Sequence, residues 1–385
     1  MTQPKKIMFV FGTRPEAIKM APVIGEVKKF PDWFESIIVV TGQHRQMLDQ
    51  VLQLFSIRPD HDLAIMEKNQ SIAKIVAKTL LGLETLIAGN KPDILLVQGD
   101  TSTAFAAGLV SYYYQVPLGH VEAGLRTFDK WRPFPEEINR KLLTSLSDLH
   151  FAPTKTSVSN LLKEAIDPAS IFLTGNTVID ALLRIAKREY DLSQLRLNLD
   201  PKKKMILVTM HRRESFGGPL EAVCRSIARL AVAFKDEVEI VLPVHQNPNV
   251  KEVVKQALGE IKNIKLIGPQ EYEPFVHLMK VSRLILSDSG GVQEEGPSLG
   301  KPVLVMREKT ERPEAVAAGT VKLVGMDEEI IFKTVAKLLK DKKEYQKMSK
   351  AVNPYGDGRA AERTVQALAY YFGFKKTKPK EFAAK

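Results

Sequence analysis

Along the chain, short runs of aliphatic and β-branched residues alternate with longer stretches whose apolar positions recur at helical spacing. In the first half the runs are 7–11, 37–41, 93–97, 116–119, 149–152 and 171–173, separated by segments such as AIKMAPVIGEVKKF and TSTAFAAGLVSYYYQ. After the amphipathic NTVIDALLRIAKREYDL the rhythm restarts, with runs at 205–209, 238–243, 264–267, 284–287, 302–306 and 321–324. Runs with no alternating polar face suit strands buried on both sides, and the helical segments between them supply the covering layers. The pattern predicts an α/β protein of two doubly wound parallel-sheet domains. Apolar density falls through DLSQLRLNLDPKKK near the junction, and the expected division is 1–175 and 176–362. Residues 363–385 carry the closing helix and a basic tail, the helix being able to pack back on the first domain.

Size and composition agree with that picture and narrow the function. A chain of 385 residues exceeds one comfortable core and suits two domains. No stretch reaches the roughly eighteen apolar residues that span a bilayer, and MTQPKK is not followed by a signal-like apolar region, so a cytoplasmic protein without membrane insertion is expected. The single cysteine, Cys224, rules out an internal disulfide framework and, within LEAVCRSIARLAVAF, reads as a core residue. The net charge of +11 comes from scattered lysines, densest in KDKKEYQKMSK and in the FKKTKPKEFAAK tail. With no zinc-finger spacing and no aromatic–basic RNA motif, these read as a solubilising surface, and no nucleic-acid partner is expected.

Open parallel sheets bind ligands beyond the C-terminal ends of their strands. The unusual polar sequence falls there: 12–16, 99–103 and 120 onward in the first half, then 211–214, 245–249 and 288–295 in the second. A single cleft facing both sheets would collect all six. In SDSGGVQEEGPSLGKPVLVM, Ser289, Gly290 and Gly291 can bring a hydroxyl and backbone amides to phosphate oxygens at a helix N-terminus, with Glu294 or Glu295 available to ribose hydroxyls. FGTRPEAIKMAP lacks GxGxxG, but Arg14 offers a fork of donors to a diphosphate, and Lys19 lies either toward the cleft or on the helix surface. His211 in HRRES can bond to a diphosphate, and His245 in PVHQNPNV can form a further wall. Dispersed histidines without HxH or HExxH spacing leave no metal site to expect. Asp100 after LLVQG is either a helix N-cap or an acid for chemistry. Glu122 follows GHV, and Glu136 and Glu137 follow Pro133 and Pro135. Three carboxylate positions at neighbouring strand or loop ends suggest proton handling, with Arg126 and Arg140 to orient or neutralise them. The substrate class that follows is a diphosphate-linked sugar. Spacing does not identify the sugar, and a glycosyltransferase with the same cleft would read alike.

The ordered set FGTRPEAIKMAP, TGQHRQMLDQ, GDTSTA, GHVEAGLRT, PFPEEINR, FLTGNTVIDAL, HRRESFG, DSGGVQEEGPSLGKPVLVMR and TERPEAVAAGT resembles the non-hydrolysing UDP-N-acetylglucosamine 2-epimerases of bacteria over nearly the whole chain. The resemblance implies two Rossmann-like domains, GT-B-like, with the active site in the interdomain cleft. It implies interconversion of UDP-N-acetylglucosamine and UDP-N-acetylmannosamine through 2-acetamidoglucal and bound UDP, without nicotinamide or other cofactor, supplying N-acetylmannosamine units for cell-surface polysaccharide. By the same match Asp100, Glu122 and Glu136 are the acid–base carboxylates and His211 assists departure of the diphosphate. Arg14, Ser289, Gly290, Gly291 and Glu295 contact UDP, with Arg140 and Lys19 close by. Gln43, His44, Gln46 and His245 stand where a second, allosteric UDP-N-acetylglucosamine is expected, although Gln246 departs from the apolar residue of many relatives. A homodimer is also implied. A glycosyltransferase, a hydrolysing epimerase and a UDP-sugar-binding regulator without catalysis are the competing readings.

Overall fold

The computed structural model describes residues 3–42, 45–67, 70–210, 218–244 and 247–384. It divides into two compact units, Met1–Ala181 with Tyr355–Ala384 and Leu182–Pro354 with Lys385. The first holds a seven-stranded sheet: β1 (Lys5–Phe11), β2 (Phe34–Val40), β3 (His61–Asp62), β4 (Ile94–Gln98), β5 (Leu118–Val121), β6 (Leu149–Ala152) and β7 (Ile171–Leu173). The second holds six: β8 (Lys204–Thr209), β9 (Val238–Pro243), β10 (Ile264–Ile267), β11 (Leu284–Ser287), β12 (Val303–Val305) and β13 (Val321–Leu323).

The orders are β3-β2-β1-β4-β5-β6-β7 and β10-β9-β8-β11-β12-β13, with every strand pair parallel. Both sheets are therefore doubly wound, and each reverses its direction of build at one place, between β1 and β4 and between β8 and β11. The carboxyl ends of strands at such a reversal open onto a crevice between diverging loops. The cores explain why the strands are uniformly apolar. Met8, Val10, Leu95 and Val97 pack against Leu83, Ile87, Ala104 and Ala107 from helices on one face of the first sheet. Ile206, Val208, Ile240 and Leu286 do the same against Cys224, Ile227, Val335 and Leu338 in the second. Burial pushes the Cys224 thiol up to about 11, so this cysteine is no nucleophile.

Two local differences from the apolar pattern matter below. The two-residue β3 has no signal of its own. More consequentially, β5 lies two residues later than the apolar run at 116–119, because Pro117 has no N–H for a ladder and the strand continues through His120 and Val121.

The closing helix, Ala360–Tyr371, and the tail belong to the first unit. Phe374 stacks on Trp33 at 5.6 Å between ring centroids, and Trp33 in turn stacks on Phe30. Farther on, the Phe382 amide donates to the Leu173 carbonyl at 2.9 Å and the Phe382 ring is buried. The tail is thus held by its aromatic residues while most of its lysines remain outside, rather than being a solubilising patch alone.

The closing helix begins at Arg359, which makes no side-chain cap. Asp180 supplies one from another helix, accepting from the amides of Ala360 at 3.1 Å and Ala361 at 2.9 Å. Burial raises its pKa from 3.8 to about 6 despite those two bonds. A carboxyl that binds its proton more tightly folded than unfolded favours the fold most at low pH, and that contribution is lost as pH rises from about 4 through about 6. Wild type should therefore lose stability relative to Asp180→Asn between pH 4.5 and 7.5, by about 2 kcal/mol. Urea unfolding of the pair at both pH values measures this, and an unchanged difference would refute it. Among the described residues no helix is long and apolar enough to cross a membrane.

Candidate active site

The carboxyl end of β1 runs into the Arg14–Val27 helix through a capping box. Glu16 Oε2 accepts from the amides of Gly12 at 3.0 Å and Thr13 at 2.8 Å. Its other oxygen accepts from Thr101 Oγ1 at 2.6 Å, tying the turn after β1 to the turn after β4. Glu16 is buried, and burial raises its pKa. Arg14 opens the helix and is half-buried. Lys19 is not on the outer surface: it forms an ion pair with Glu122.

After β4 the chain turns at Gly99, whose φ of +72° lies in the region glycine enters without strain. The helix that follows, Ser102–Tyr113, is capped by Thr101, whose hydroxyl accepts from the Ala104 amide at 3.0 Å. Asp100 is accordingly not the N-cap. Its Oδ2 receives Arg140 Nε at 2.8 Å and Nη2 at 2.7 Å, and its carbonyl receives Asn139 Nδ2 at 2.9 Å. Arg140 reaches both ways, its Nη1 donating to Glu137 Oε2 at 3.0 Å.

Glu122 stands directly after β5 with φ +69°, an unusual conformation for a residue with a side chain that costs of order 1–3 kcal/mol. It aims a nearly buried carboxylate, 7% exposed, at Lys19 and at the amide of Gln98, both of which donate to Oε2. Because β4 and β5 are adjacent, with Gln98 in register with Val121, the Asp100 and Glu122 turns are neighbours.

The Glu136–Leu146 helix carries the third carboxylate in its first turn. The two glutamates of PFPEEINR have different surroundings. Glu137 is fully buried and accepts from the amides of Thr127 and Phe128, both at 3.0 Å, as well as from Arg140, so it shapes the preceding loop. Glu136 is half-buried and lies four residues before Arg140, on the same side of the helix. Arg126 does not orient these acids. Its Nε and Nη2 fork the Glu164 carboxylate at 2.8 and 2.7 Å, and Nη2 also donates to Thr144 Oγ1 at 2.7 Å. That hydrogen-bonded pairing holds Glu164 below the ordinary carboxylate range.

In the second unit the turn after β11 leads into the Gly290–Ser298 helix. Thr209 and Ser287 share a hydrogen bond of 2.6 Å at the ends of β8 and β11, and Ser287 Oγ accepts the Ser289 amide at 3.0 Å. Ser289 makes no side-chain cap bond, which leaves the first helical amides directed outward, an anion-binding arrangement. A Cβ built at Gly291 would come no nearer than 3.9 Å to any protein atom, so packing alone does not require glycine there. Gly296 differs, since a Cβ would sit 2.6 Å from Val303 Cγ2 and this glycine lets helix and sheet approach. The two candidate ribose acceptors also separate: Glu294 is paired with Arg312, whereas Glu295 accepts from Tyr272 Oη at 2.8 Å.

Within the first unit the structure therefore gathers Asp100, Glu122, Lys19 and Arg140 around the β4 and β5 turns, with Glu136 on the Arg140 helix. His211, Gln43, His44 and His245 lie outside the described residues, as does the side chain of Gln46. Among the described residues no group of three or more metal-ligating side chains occurs. Sequence reading assigned no role to Glu16, Gln98 or His120, and it grouped Glu137 with Glu136 among the carboxylates for proton handling, whereas Glu137 holds the preceding loop. Thr13-x-x-Glu16 carried a readable capping-box signal, but Gln98 and His120 are recognisable only from contacts between turns.

Residues 26–369 match the sequence profile of the family described as UDP-N-acetylglucosamine 2-epimerase. The chain is 56% identical over 370 residues to the UDP-N-acetylglucosamine 2-epimerase of Escherichia coli strain K12, covering 94% of this chain and 98% of that protein. It is 52% identical over 380 residues to the enzyme of the same description from Bacillus subtilis strain 168, covering 99% of each. The crystal structure of UDP-GlcNAc 2-epimerase from Neisseria meningitidis bound to UDP-GlcNAc superposes with a TM-score of 0.84 at 48% identity, covering 94% of this chain and 99% of that one.

Proposed function

The chain belongs to the UDP-N-acetylglucosamine 2-epimerase family, and from that membership and the carboxylates gathered beyond β4 and β5 we propose how it inverts C2 of its substrate. It is a non-hydrolysing epimerase that interconverts UDP-N-acetylglucosamine and UDP-N-acetylmannosamine. A carboxylate of the Asp100, Glu122 and Glu136 set removes the C2 proton. The electron pair forms the C1–C2 double bond as the C1–oxygen bond breaks, giving 2-acetamidoglucal and UDP. A second carboxyl of the set then delivers a proton to the opposite face of C2 while the UDP oxygen re-adds at C1. Atoms and charge balance, and no oxidation occurs at any carbon. Arg140 and Lys19 orient the oxygens of Asp100 and Glu122. The Ser289–Gly291 amides and Arg14 receive the diphosphate, on which negative charge grows as the bond breaks. Donors fixed in place beforehand are worth most at that moment. His211 is assigned to the same departure.

The observation that supports this reading most is the release of Asp100 from helix capping by Thr101, which leaves its carboxylate to Arg140. Proton NMR of the protein with UDP-N-acetylglucosamine in deuterated water, without NAD, tests it. Intact UDP-N-acetylmannosamine with deuterium at C2 is the expected product. Free UDP with free amino sugar would mean hydrolysis, and no conversion until an acceptor is added would mean glycosyl transfer.

The enzyme is proposed to act in the cytoplasm, where its single unpaired cysteine is at home, and to be a homodimer. Exposed Ile138 and Leu142 on one helix, with exposed Tyr112 and Tyr113 on another, support the second assignment. Light scattering should give twice the 43.1 kDa chain mass, and a value at the single mass would remove the dimer.

A further inference from the structure

His120 has no part in the proton transfers above, yet it is fully buried in β5, in register with Val97 of β4 and His150 of β6. Its Nε2 lies 2.6 Å from the carbonyl oxygen of Gly99. A carbonyl only accepts, so Nε2 carries the hydrogen and Nδ1 is a bare acceptor. That Nδ1 is buried and has no hydrogen-bond partner among the described residues. Burial drives the imidazole pKa down to about 3, with the bond to Gly99 opposing the shift, so the ring is neutral wherever the enzyme works. A buried polar atom without a partner costs of order 1–3 kcal/mol, a cost that an apolar side chain in the same strand would avoid. What the histidine supplies in return is one donor, directed at the turn that carries Asp100.

We propose that His120 is a positioning residue for the epimerisation: its Nε2–H holds the Gly99 carbonyl and thereby fixes the peptide plane from which Asp100 projects. Strand β5 grips Gly99 on both sides, since the Gly99 amide donates to the Val121 carbonyl at 3.0 Å while the Gly99 carbonyl accepts from His120. The Gly99 carbonyl and the Asp100 amide belong to one planar peptide unit. Glycine at φ +72° gives the turn no steric restraint of its own. Two residues beyond His120, directly after the same strand, stands Glu122. One strand therefore sets the spacing between two of the three carboxylates, through a side-chain bond to the residue before one and a covalent connection to the other. The proposal rests on Asp100 acting as an acid–base group, as read above.

The test uses the full chain with three replacements and one measurement on the wild type. His120→Phe keeps the ring and removes the donor. His120→Gln places an amide N–H where Nε2 was, and His120→Asn places one where Nδ1 was, out of reach of Gly99. A misplacement of about 1 Å in a catalytic group costs about 100-fold in rate. The Phe and Asn variants should thus lose roughly that much kcat with KM changed threefold or less, and Gln should recover most of it, to within about fivefold of wild type. In the wild type, nitrogen-15 shifts of the labelled histidine should show protonated Nε2 and unprotonated Nδ1 throughout pH 6–8. A Phe variant that is folded and keeps kcat within threefold, a Gln variant no better than Asn when both are folded, or a protonated Nδ1 in the wild type would each overturn the proposal. Should Phe or Asn fail to fold, the tautomer measurement and the Gln variant still decide. Asp100→Asn separates the two layers: if it keeps wild-type turnover, the reading of Asp100 fails, and if it is inactive while His120→Phe is active, only the positioning role fails.

Discussion

Replacing Asp100 with Asn is expected to lower kcat about a thousandfold while UDP affinity stays within a few-fold of wild type. Asn retains the volume of Asp and an oxygen that can accept from Arg140. The backbone contacts of residue 100, to Asn139 and through Gly99 to β5, involve no carboxylate and should persist. What is lost is the ability to bind and return a proton. Because the diphosphate donors are assigned to Arg14 and to the Ser289–Gly291 turn, nucleotide binding has no direct dependence on this change. Initial rates together with calorimetric titration of UDP separate the two effects. Turnover within tenfold of wild type would remove Asp100 from the chemistry, and a matching loss of UDP affinity would place it in binding.

The second large effect is structural. Arg140→Met should destabilise the protein by about 3 kcal/mol, the low end of what is seen when one partner of a buried ionic group is removed. Arg140 is 8% exposed and serves two acids at once, Asp100 and the fully buried Glu137. Glu137 keeps the amides of Thr127 and Phe128, which holds the loss below the upper part of that range. Arg140→Lys keeps the charge but presents no planar fork to span both carboxylates, and it should fall between the two. Combining Arg140→Met with Glu137→Gln should recover part of the loss, because the uncompensated buried charge is then absent. Chemical denaturation of the four proteins checks the ordering. Equal stability of wild type and Arg140→Met would show that the pairs are energetically idle.

The strands were largely legible because both sheets are covered on both faces, which makes each strand a continuous apolar run. Where the reading slipped, at β5, the cause is specific. Val116 and Pro117 look like strand residues and His120 looks like loop, but the ladder needs an N–H that Pro117 lacks, and the histidine is tolerated inside because its donor is satisfied by Gly99. For the site, the end-of-strand rule was enough to single out Asp100 and Glu122. It could not say which cation serves which acid. Arg126 is close to Glu122 in sequence and turns instead to Glu164, whereas Lys19 meets Glu122 from 103 residues away. Such pairings depend on how strands 1, 4 and 5 are laid side by side, and no local pattern encodes that. Asp100 shows the limit clearly: GDT offers two residues able to cap the next helix, and only the geometry of the turn assigns the task to Thr101.

The closing helix and tail have a consequence for how the protein is made on the ribosome. The Arg14–Val27 helix packs against Ala360–Tyr371, yet the 173 residues from Leu182 to Pro354 must be synthesised between the two. At roughly 5–20 residues per second, that is about 9 to 35 seconds during which the first sheet exists without the helix that completes one of its covering layers. The exit tunnel adds a further delay, since a segment must emerge before it can dock. The amino-terminal unit is thus a late finisher despite being first in sequence, and a stop codon shortly after Pro354 would leave the second unit's chain entire while stripping the first of its final helix.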